Sequence, residues 1–322
     1  MKYLVTGFSG FVARHFIQFL DENVEHAQVL GIDIGVPHYE ENRDWVRFEQ
    51  INLLERSRLE TAIRTFSPDY ILHLASMSSV SKSWEEPEKS FTNNTNIFLN
   101  LVEVLRNHQI PARLLSVGSS EEYGIVTESE LPLRENMHPN PISPYAVARV
   151  SQELLSKVYA HGYGLQIVLT RSFNHIGRWQ NTRFVIPSFV KQLVELKNHP
   201  EREQVLYTGD TAIVRDFVDV RDVVHAYHLL LSKGQSGQIY NICSGKGHSL
   251  HEIIAMLCEI MGLKIEIRTD PAFLRPADNP RIIGSYRKIA QEVGWHPRYS
   301  LRDSLQDIIR YWEQEGEKKN RY

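Results

Sequence analysis

The chain has 322 residues, 42% of them hydrophobic, and a formal net charge of −3. That is apolar material for two packed lobes, and without any basic run it argues against an extended nucleic-acid or anionic-membrane surface. No apolar stretch approaches the ~20 residues that span a bilayer, and the N-terminus enters a strand-like run at Tyr3 with no signal-peptide pattern. Cys243 and Cys258 form neither a metal pair nor a disulfide framework and read as small core residues, so a soluble cytosolic protein is expected.

Tyr3-Leu4-Val5 is a short apolar run that stops at Thr6-Gly7-Phe8-Ser9-Gly10, after which Val12, Phe16, Ile17 and Leu20 recur at helical spacing. At this strand-to-helix corner Gly7-x-x-Gly10-x-x-Ala13 has the form of a dinucleotide fingerprint. Gly7 permits the tight turn, Gly10 lets the backbone approach a pyrophosphate at the helix N-terminus, and a small residue at 13 allows close helix–strand packing. Val29-Leu30-Gly31-Ile32 is a second buried-strand candidate and ends on Asp33, 20 positions after Ala13. A carboxylate there either accepts both ribose hydroxyls, favouring NADH by repelling a 2′-phosphate, or merely caps the following turn.

A helix around Arg56–Phe66, a strand at Tyr70–Leu74, a long helix near 91–106 and a strand at Leu114–Val117 follow. Another helix begins after Ser143, and Leu165–Leu169 is again a strand. Strands alternating with helices at this spacing imply an α/β fold, a Rossmann-type doubly wound parallel sheet. From about Ser172 the alternation loosens, which points to a smaller α/β lobe. The expected division is a nucleotide-binding domain at 1–172 with a returning segment at about 213–242, and a second lobe at about 173–212 and 243–315. The long helix carries Ile97, Leu101, Val104 and Leu105, and the helix after Ser143 carries Leu154, Leu155 and Val158. Such faces either pair across a two-fold axis or serve as internal core; a homodimer through these two helices is the expectation.

The stretch Ser143-Pro144-Tyr145-Ala146-Val147-Ala148-Arg149 either opens an ordinary amphipathic helix or sets an acid/base tyrosine beside a cation. Ser143 can cap a helix whose first position takes Pro144 without loss. Tyr145 then lies in the first turn, where the helix dipole favours a phenolate, and Arg149 follows one turn later on the same face.

With these motifs in place, the chain resembles the extended short-chain dehydrogenase/reductase family, in its nucleotide-sugar branch. The resemblance rests on Thr6-Gly7-x-x-Gly10-Phe11-Val12, His73-Leu74-Ala75, Ser119-Ser120-Glu121-Glu122-Tyr123-Gly124 and Ser143-Pro144-Tyr145-x-x-x-Arg149. It continues through Arg171-Ser172-Phe173-Asn174-His175, Arg215-Asp216-Phe217-Val218-Asp219-Val220-Arg221-Asp222, Arg275-Pro276 and Gly294-Trp295-x-Pro297. Ser119-Ser120-Glu121-Glu122-Tyr123-Gly124 and Val150-Ser151-Gln152-Glu153-Leu154 are similar to the wording of the GDP-4-keto-6-deoxy-D-mannose reductases of that branch, which make GDP-D-rhamnose.

The resemblance implies Tyr145 as proton donor to a ketone oxygen, Ser119 as a second hydroxyl on the developing alkoxide, and Arg149 in the place of the family's lysine. Arginine keeps the charge but cannot join a proton relay. Glu121 matches the base of the related dehydratases. The resemblance further implies NADH or NADPH held by Gly7, Phe8, Ser9, Gly10, Phe11, Val12, Asp33, Asn52, Leu53, Leu74, Ala75, Ser76, Asn94, Tyr145 and Arg149. A GDP-sugar would meet Ser119, Asn174, Val185, Lys191, Arg215, Arg275 and Asp278. Arg178-Trp179 departs from the family's Pro-Gly, and a large aromatic there would either narrow the sugar pocket or stack on the base. His225-x-x-His228 and His248-x-x-His251 lack a third ligand at suitable spacing, so no metal is expected. The leading expectation is reduction of the C4 ketone. A dehydratase or epimerase of the same branch, and a non-catalytic nucleotide-binding protein, are the alternatives.

Overall fold

The structure, a computed structural model, describes residues 1–37, 43–274 and 279–319. Thirteen strands are β1 (Lys2–Thr6), β2 (Gln28–Asp33), β3 (Val46–Gln50), β4 (Tyr70–His73), β5 (Arg113–Ser119), β6 (Ile167–Ser172), β7 (Asn174–Ile176), β8 (Val205–Thr208), β9 (Val214–Asp219), β10 (Ile239–Ile242), β11 (Gly247–Ser249), β12 (Glu266–Thr269) and β13 (Arg281–Ile282), counted among the described residues. The helices are α1 (Phe11–Asn23), α2 (Arg56–Phe66), α3 (Val80–Glu85), α4 (Pro87–Phe91), α5 (Ile97–Asn107), α6 (Pro144–Tyr163), α7 (Val185–Asn198), α8 (Val220–Lys233), α9 (Leu250–Met261), α10 (Arg287–Val293) and α11 (Leu301–Lys319).

Seven strands form one sheet in the order β10-β6-β5-β4-β1-β2-β3, and every pairing in it is parallel. Because side chains alternate across a strand, its buried strands must be apolar at every position and feed two cores. Tyr3 and Val5 enter the core beneath α1 and α8, whereas Leu4 enters the core beneath α2, α5 and α6. Leu72 and Leu115 join the first core, and Ile71 and Leu114 the second. The fold is the expected doubly wound Rossmann type.

β3 has no counterpart in the sequence reading. It is an edge strand with exposed polar positions, and only the alternation of Val46 and Phe48 marks it. The long helix begins earlier, at Pro87, and passes through a π-helical turn at Thr92–Asn96 before α5. β9, which follows the loosened region, pairs with β7, β11 and β13 in a smaller sheet, and α8 and β10 return the chain to the large one. The smaller lobe has its own core of α7, α9 and α11 residues, among them Phe189, Leu193, Ile253, Leu257, Leu305 and Ile308.

Of the two candidate pairing faces, Ile97, Leu101, Val104 and Leu105 of α5 are buried inside this chain. On α6, Leu154 and Val158 are more than half exposed, while Leu155 packs on the second core. Cys243 is buried, with burial pushing its thiol well up, and Cys258 packs against the small-lobe core.

Candidate active site

The parallel strands end together, so the loops after β1, β4, β5 and β6 meet along one edge of the sheet. Gly7 turns there with φ of +71°, and a Cβ on it would lie 2.7 Å from the Ala75 main-chain nitrogen. Only glycine fits between the two loops. Gly10 precedes α1 as a cap without a side chain, so among the described residues the N–H groups of its first turn are open to an anion. Asp33 sits beside this turn with one oxygen on the Ser9 N–H (2.9 Å) and the other on the Gly35 N–H (3.1 Å). Its carboxylate therefore does cap the turn, and its remaining lone pairs are what a ribose would meet. The uncapped helix, the tight Gly7 crossing and a carboxylate at the end of β2 together fit a dinucleotide.

Several candidate cofactor residues also have structural partners within the protein. The Phe8 ring is fully buried and so close beneath Gly31 that a Cβ there would stand 2.3 Å from it. Leu53 lies in the second core, and Asn52 Oδ1 accepts the Leu54 N–H. Asn94, turned inward by the π-helical turn, accepts the Met77 N–H at 2.8 Å and so shapes the loop carrying Leu74, Ala75 and Ser76. Phe11 and Val12 are half-buried at the start of α1.

Ser143 caps α6 through the Ala146 N–H (3.2 Å), with Pro144 as the first helical residue. Tyr145 and Arg149 are both buried, and the guanidinium Nε donates to the Tyr145 Oη at 3.2 Å. Arg149 Nη1 is anchored to the Val117 carbonyl of β5 (3.1 Å) and to Gln152 Oε1 (2.8 Å), and Gln152 in turn bonds Ser116 Oγ. All of these partners are neutral, so no carboxylate among the described residues cancels the charge beside the phenol. His73, hydrogen-bonded to Thr6, is pushed down to about 3 by burial and then by the nearby Arg149 charge, and is neutral.

Ser119 closes β5 two residues beyond Val117. Its Oγ accepts the Glu121 N–H at 3.3 Å, which leaves the hydroxyl hydrogen free to be donated. Glu121 itself lies half-buried in the short 3₁₀ turn after Ser119. Ser119 pairs in register with Ser172 of β6, and Asn174 starts β7 just beyond that point. Asn174 lies opposite Phe217 of β9, two residues from buried Arg215, whose Nη1 donates to the carbonyls of Val214 and Asn279. Val185 opens α7, and Lys191 on the same helix is half-exposed with its nearest carboxylate, Glu195, at 3.9 Å. Arg275 and Asp278 lie outside the described residues.

Trp179 lies against the first helix. It adopts φ of +67°, packs at a tilt against His15 (4.5 Å between centroids) and lies under the Arg14 guanidinium (3.7 Å), while Arg178 pairs with Asp307 (2.9 Å). Its ring is thereby packed on α1. His225 and His228 likewise pack on Phe19 of α1, and no group of three potential metal-binding side chains occurs among the described residues.

A doubly wound sheet with an open helix N-terminus, a Ser-Tyr-Arg set at the strand ends and a second lobe beside them defines a nucleotide-sugar enzyme of the extended short-chain dehydrogenase/reductase type. The model of the GDP-mannose 4,6 dehydratase family matches residues 4–308, and the chain belongs to that family. It is 33% identical over 312 residues to the GDP-6-deoxy-D-mannose reductase of Pseudomonas aeruginosa, covering 97% of each chain. It is 30% identical over 313 residues to the GDP-6-deoxy-D-talose 4-dehydrogenase of Aggregatibacter actinomycetemcomitans, covering 96% of this chain and 97% of the relative. The solved structure of the Pseudomonas aeruginosa RMD complexed with NADPH superposes with a TM-score of 0.86 at 32% identity, over 98% of this chain and 99% of that one. Among the described residues, no helix is long and apolar enough to cross a membrane.

Proposed function

We propose that the protein uses NADH or NADPH to reduce the C4 ketone of GDP-4-keto-6-deoxy-D-mannose, giving GDP-D-rhamnose. The observation that carries this reading is the buried Tyr145–Arg149 pair anchored to β5 beside Ser119, a proton donor and a hydroxyl at the sheet edge where a nicotinamide cofactor fits. The cofactor supplies hydride to the ketone carbon. Tyr145 gives its phenolic proton to the ketone oxygen, Ser119 donates a hydrogen bond to the same oxygen as charge develops, and Arg149 steadies the phenolate left behind. The large sheet with its helices holds the cofactor, through the first turn of α1, Asp33 and the loop at Leu74–Ser76. The smaller lobe, with Asn174, Val185, Lys191 and Arg215, holds the sugar nucleotide in this reading, to which the candidates Arg275 and Asp278 belong by sequence alone.

A reductase consumes one reduced cofactor per sugar, whereas a dehydratase returns its hydride and needs a base such as Glu121. Adding GDP-4-keto-6-deoxy-D-mannose should cause stoichiometric loss of NAD(P)H absorbance, and GDP-mannose alone should give no keto product. Formation of the 4-keto sugar from GDP-mannose without added cofactor would replace this reading with the dehydratase.

Asp33 sets the cofactor preference in this reading. Asp33→Ser should weaken NADH binding, relieve repulsion of a 2′-phosphate and shift the kcat/KM ratio towards NADPH. An unchanged ratio would leave Asp33 with its role as a cap for Ser9 and Gly35 alone.

The exposed row of Val147, Leu154 and Val158 on α6, with Phe91 at the end of α4, is the surface that a second copy of the chain covers in this proposal. Sedimentation should show a dimer that Leu154→Asp splits. A monomeric parent protein would remove the dimer from the account.

A further inference from the structure

We propose that Glu122 is a positioning residue for Ser119, gripping the serine by its main-chain amide as one half of a carboxyl pair with Glu153 closed around Arg171. The inference rests on the reductase reading above, in which Ser119 touches the reacting oxygen.

Glu122 is fully buried, and its Oε1 accepts the Ser119 N–H at 2.6 Å. The carboxyl reaches that amide across Gly118, where a Cβ would come within 2.4 Å of the Glu122 Oε1 and of the Thr170 carbonyl oxygen. Any larger residue at 118 would push the carboxyl away from the serine. The grip therefore depends on two positions that never touch substrate.

The two carboxyls of the pair are unequal. Glu153 receives Arg171 Nε at 2.8 Å, Arg171 Nη2 at 3.0 Å and Lys157 Nζ at 2.8 Å. Glu122 has Arg171 Nε only at 3.8 Å, and its Oε2 is buried with no donor aimed at it among the described residues. A buried carboxylate oxygen without a donor is costly, and a proton removes the cost by turning that oxygen into a donor towards Glu153. The electrostatics agree. Burial, then the Glu153 charge and hydrogen bond, raise Glu122 well above the usual carboxylate range, while the Arg171 hydrogen bonds and charge bring Glu153 below it despite burial. Glu122 is thus the neutral acid and Glu153 the anion. The other charged or titratable groups facing the pair are Lys157 on α6, Tyr123 beneath the Arg171 guanidinium, and Glu135 from the segment before α6.

Ser119 can donate to a ketone oxygen only if the turn after β5 holds its Cβ direction. Displacing a reacting group by about 1 Å costs on the order of a hundredfold in rate. Glu122→Leu should therefore lower kcat by roughly ten- to a hundredfold while the KM for the sugar and the binding of GDP change little. Glu122→Gln supplies a carbonyl oxygen for the Ser119 N–H and an amide donor for Glu153, so it should restore most of kcat with an unshifted pH profile. Independently of turnover, the infrared spectrum of the parent protein should contain a buried protonated-carboxyl band that Glu122→Gln removes. A Glu122→Leu enzyme as active as the parent overturns the positioning role. A Glu122→Gln enzyme as impaired as Glu122→Leu, or a spectrum without that band, overturns the neutral-acid grip. Should Glu122→Leu not fold, Glu122→Gln and the spectrum decide. An inactive parent protein overturns the reductase reading instead, and the infrared band is read without it.

Discussion

Tyr145→Phe should fold, bind GDP and cofactor as the parent does, and lose roughly a thousandfold in the rate of ketone reduction. General-acid catalysis by a placed side chain contributes on the order of 10²–10⁴-fold, and the Tyr145 hydroxyl, bonded to the Arg149 guanidinium, is the proton donor in the proposed reaction. Phe keeps the buried ring and its packing, so the change removes the proton and the acceptor for Arg149 Nε and little else. The loss should appear in kcat with KM nearly constant, the mark of an interaction made in the transition state. The measurement is NAD(P)H oxidation alongside calorimetric binding of GDP. A variant within tenfold of the parent would mean that the proton comes from elsewhere, and Tyr145 would cease to be the acid.

The second large effect concerns Arg149. Arg149→Met should lower turnover by about a hundredfold, whereas Arg149→Lys should keep or raise it. Among the described residues the buried guanidinium has only neutral partners, the Tyr145 hydroxyl, the Val117 carbonyl and Gln152. In the proposed reaction its charge is therefore available to the phenolate left when Tyr145 gives up its proton. Lysine keeps that charge and, unlike arginine, can also pass a proton; methionine fills the space and leaves the phenolate without support. Single-turnover measurements with both variants test this. Equal rates for Met and the parent would assign the stabilisation to the start of α6 alone.

What the sequence made legible was local. Gly7, Gly10 and Ala13 have fixed spacing at one corner, and the Gly7 crossing shows why spacing alone was sufficient there. Ser143, Pro144, Tyr145 and Arg149 share one helical turn and a half, so cap, phenol and cation could be read together. The rest depends on contacts between distant segments. β3 has polar exposed positions because it is an edge, and edge strands carry a weak apolar signal. The π-helical turn at Asn94 adds no residue type that marks it. The resting place of Trp179 depends on Arg14 and His15 from the first helix. Glu122, Glu153 and Arg171 come from a turn, a helix and a strand, and nothing in their separate surroundings announces that they meet.

The large sheet is also a matter of timing. Trp295, fully buried and bonded through Nε1 to the Asp222 carbonyl, completes the core that begins at Tyr3. As the chain leaves the ribosome, the face of β1, β4 and β5 beneath α8 stays uncovered until the segments from Val220 to Trp295 emerge. Those segments appear only after α7 and β9 of the other lobe have been made. The half built on the large sheet therefore cannot finish folding as an early, independent unit, and the part of its apolar face beneath α8 stays open until those segments arrive, when capture by chaperones or misassembly competes.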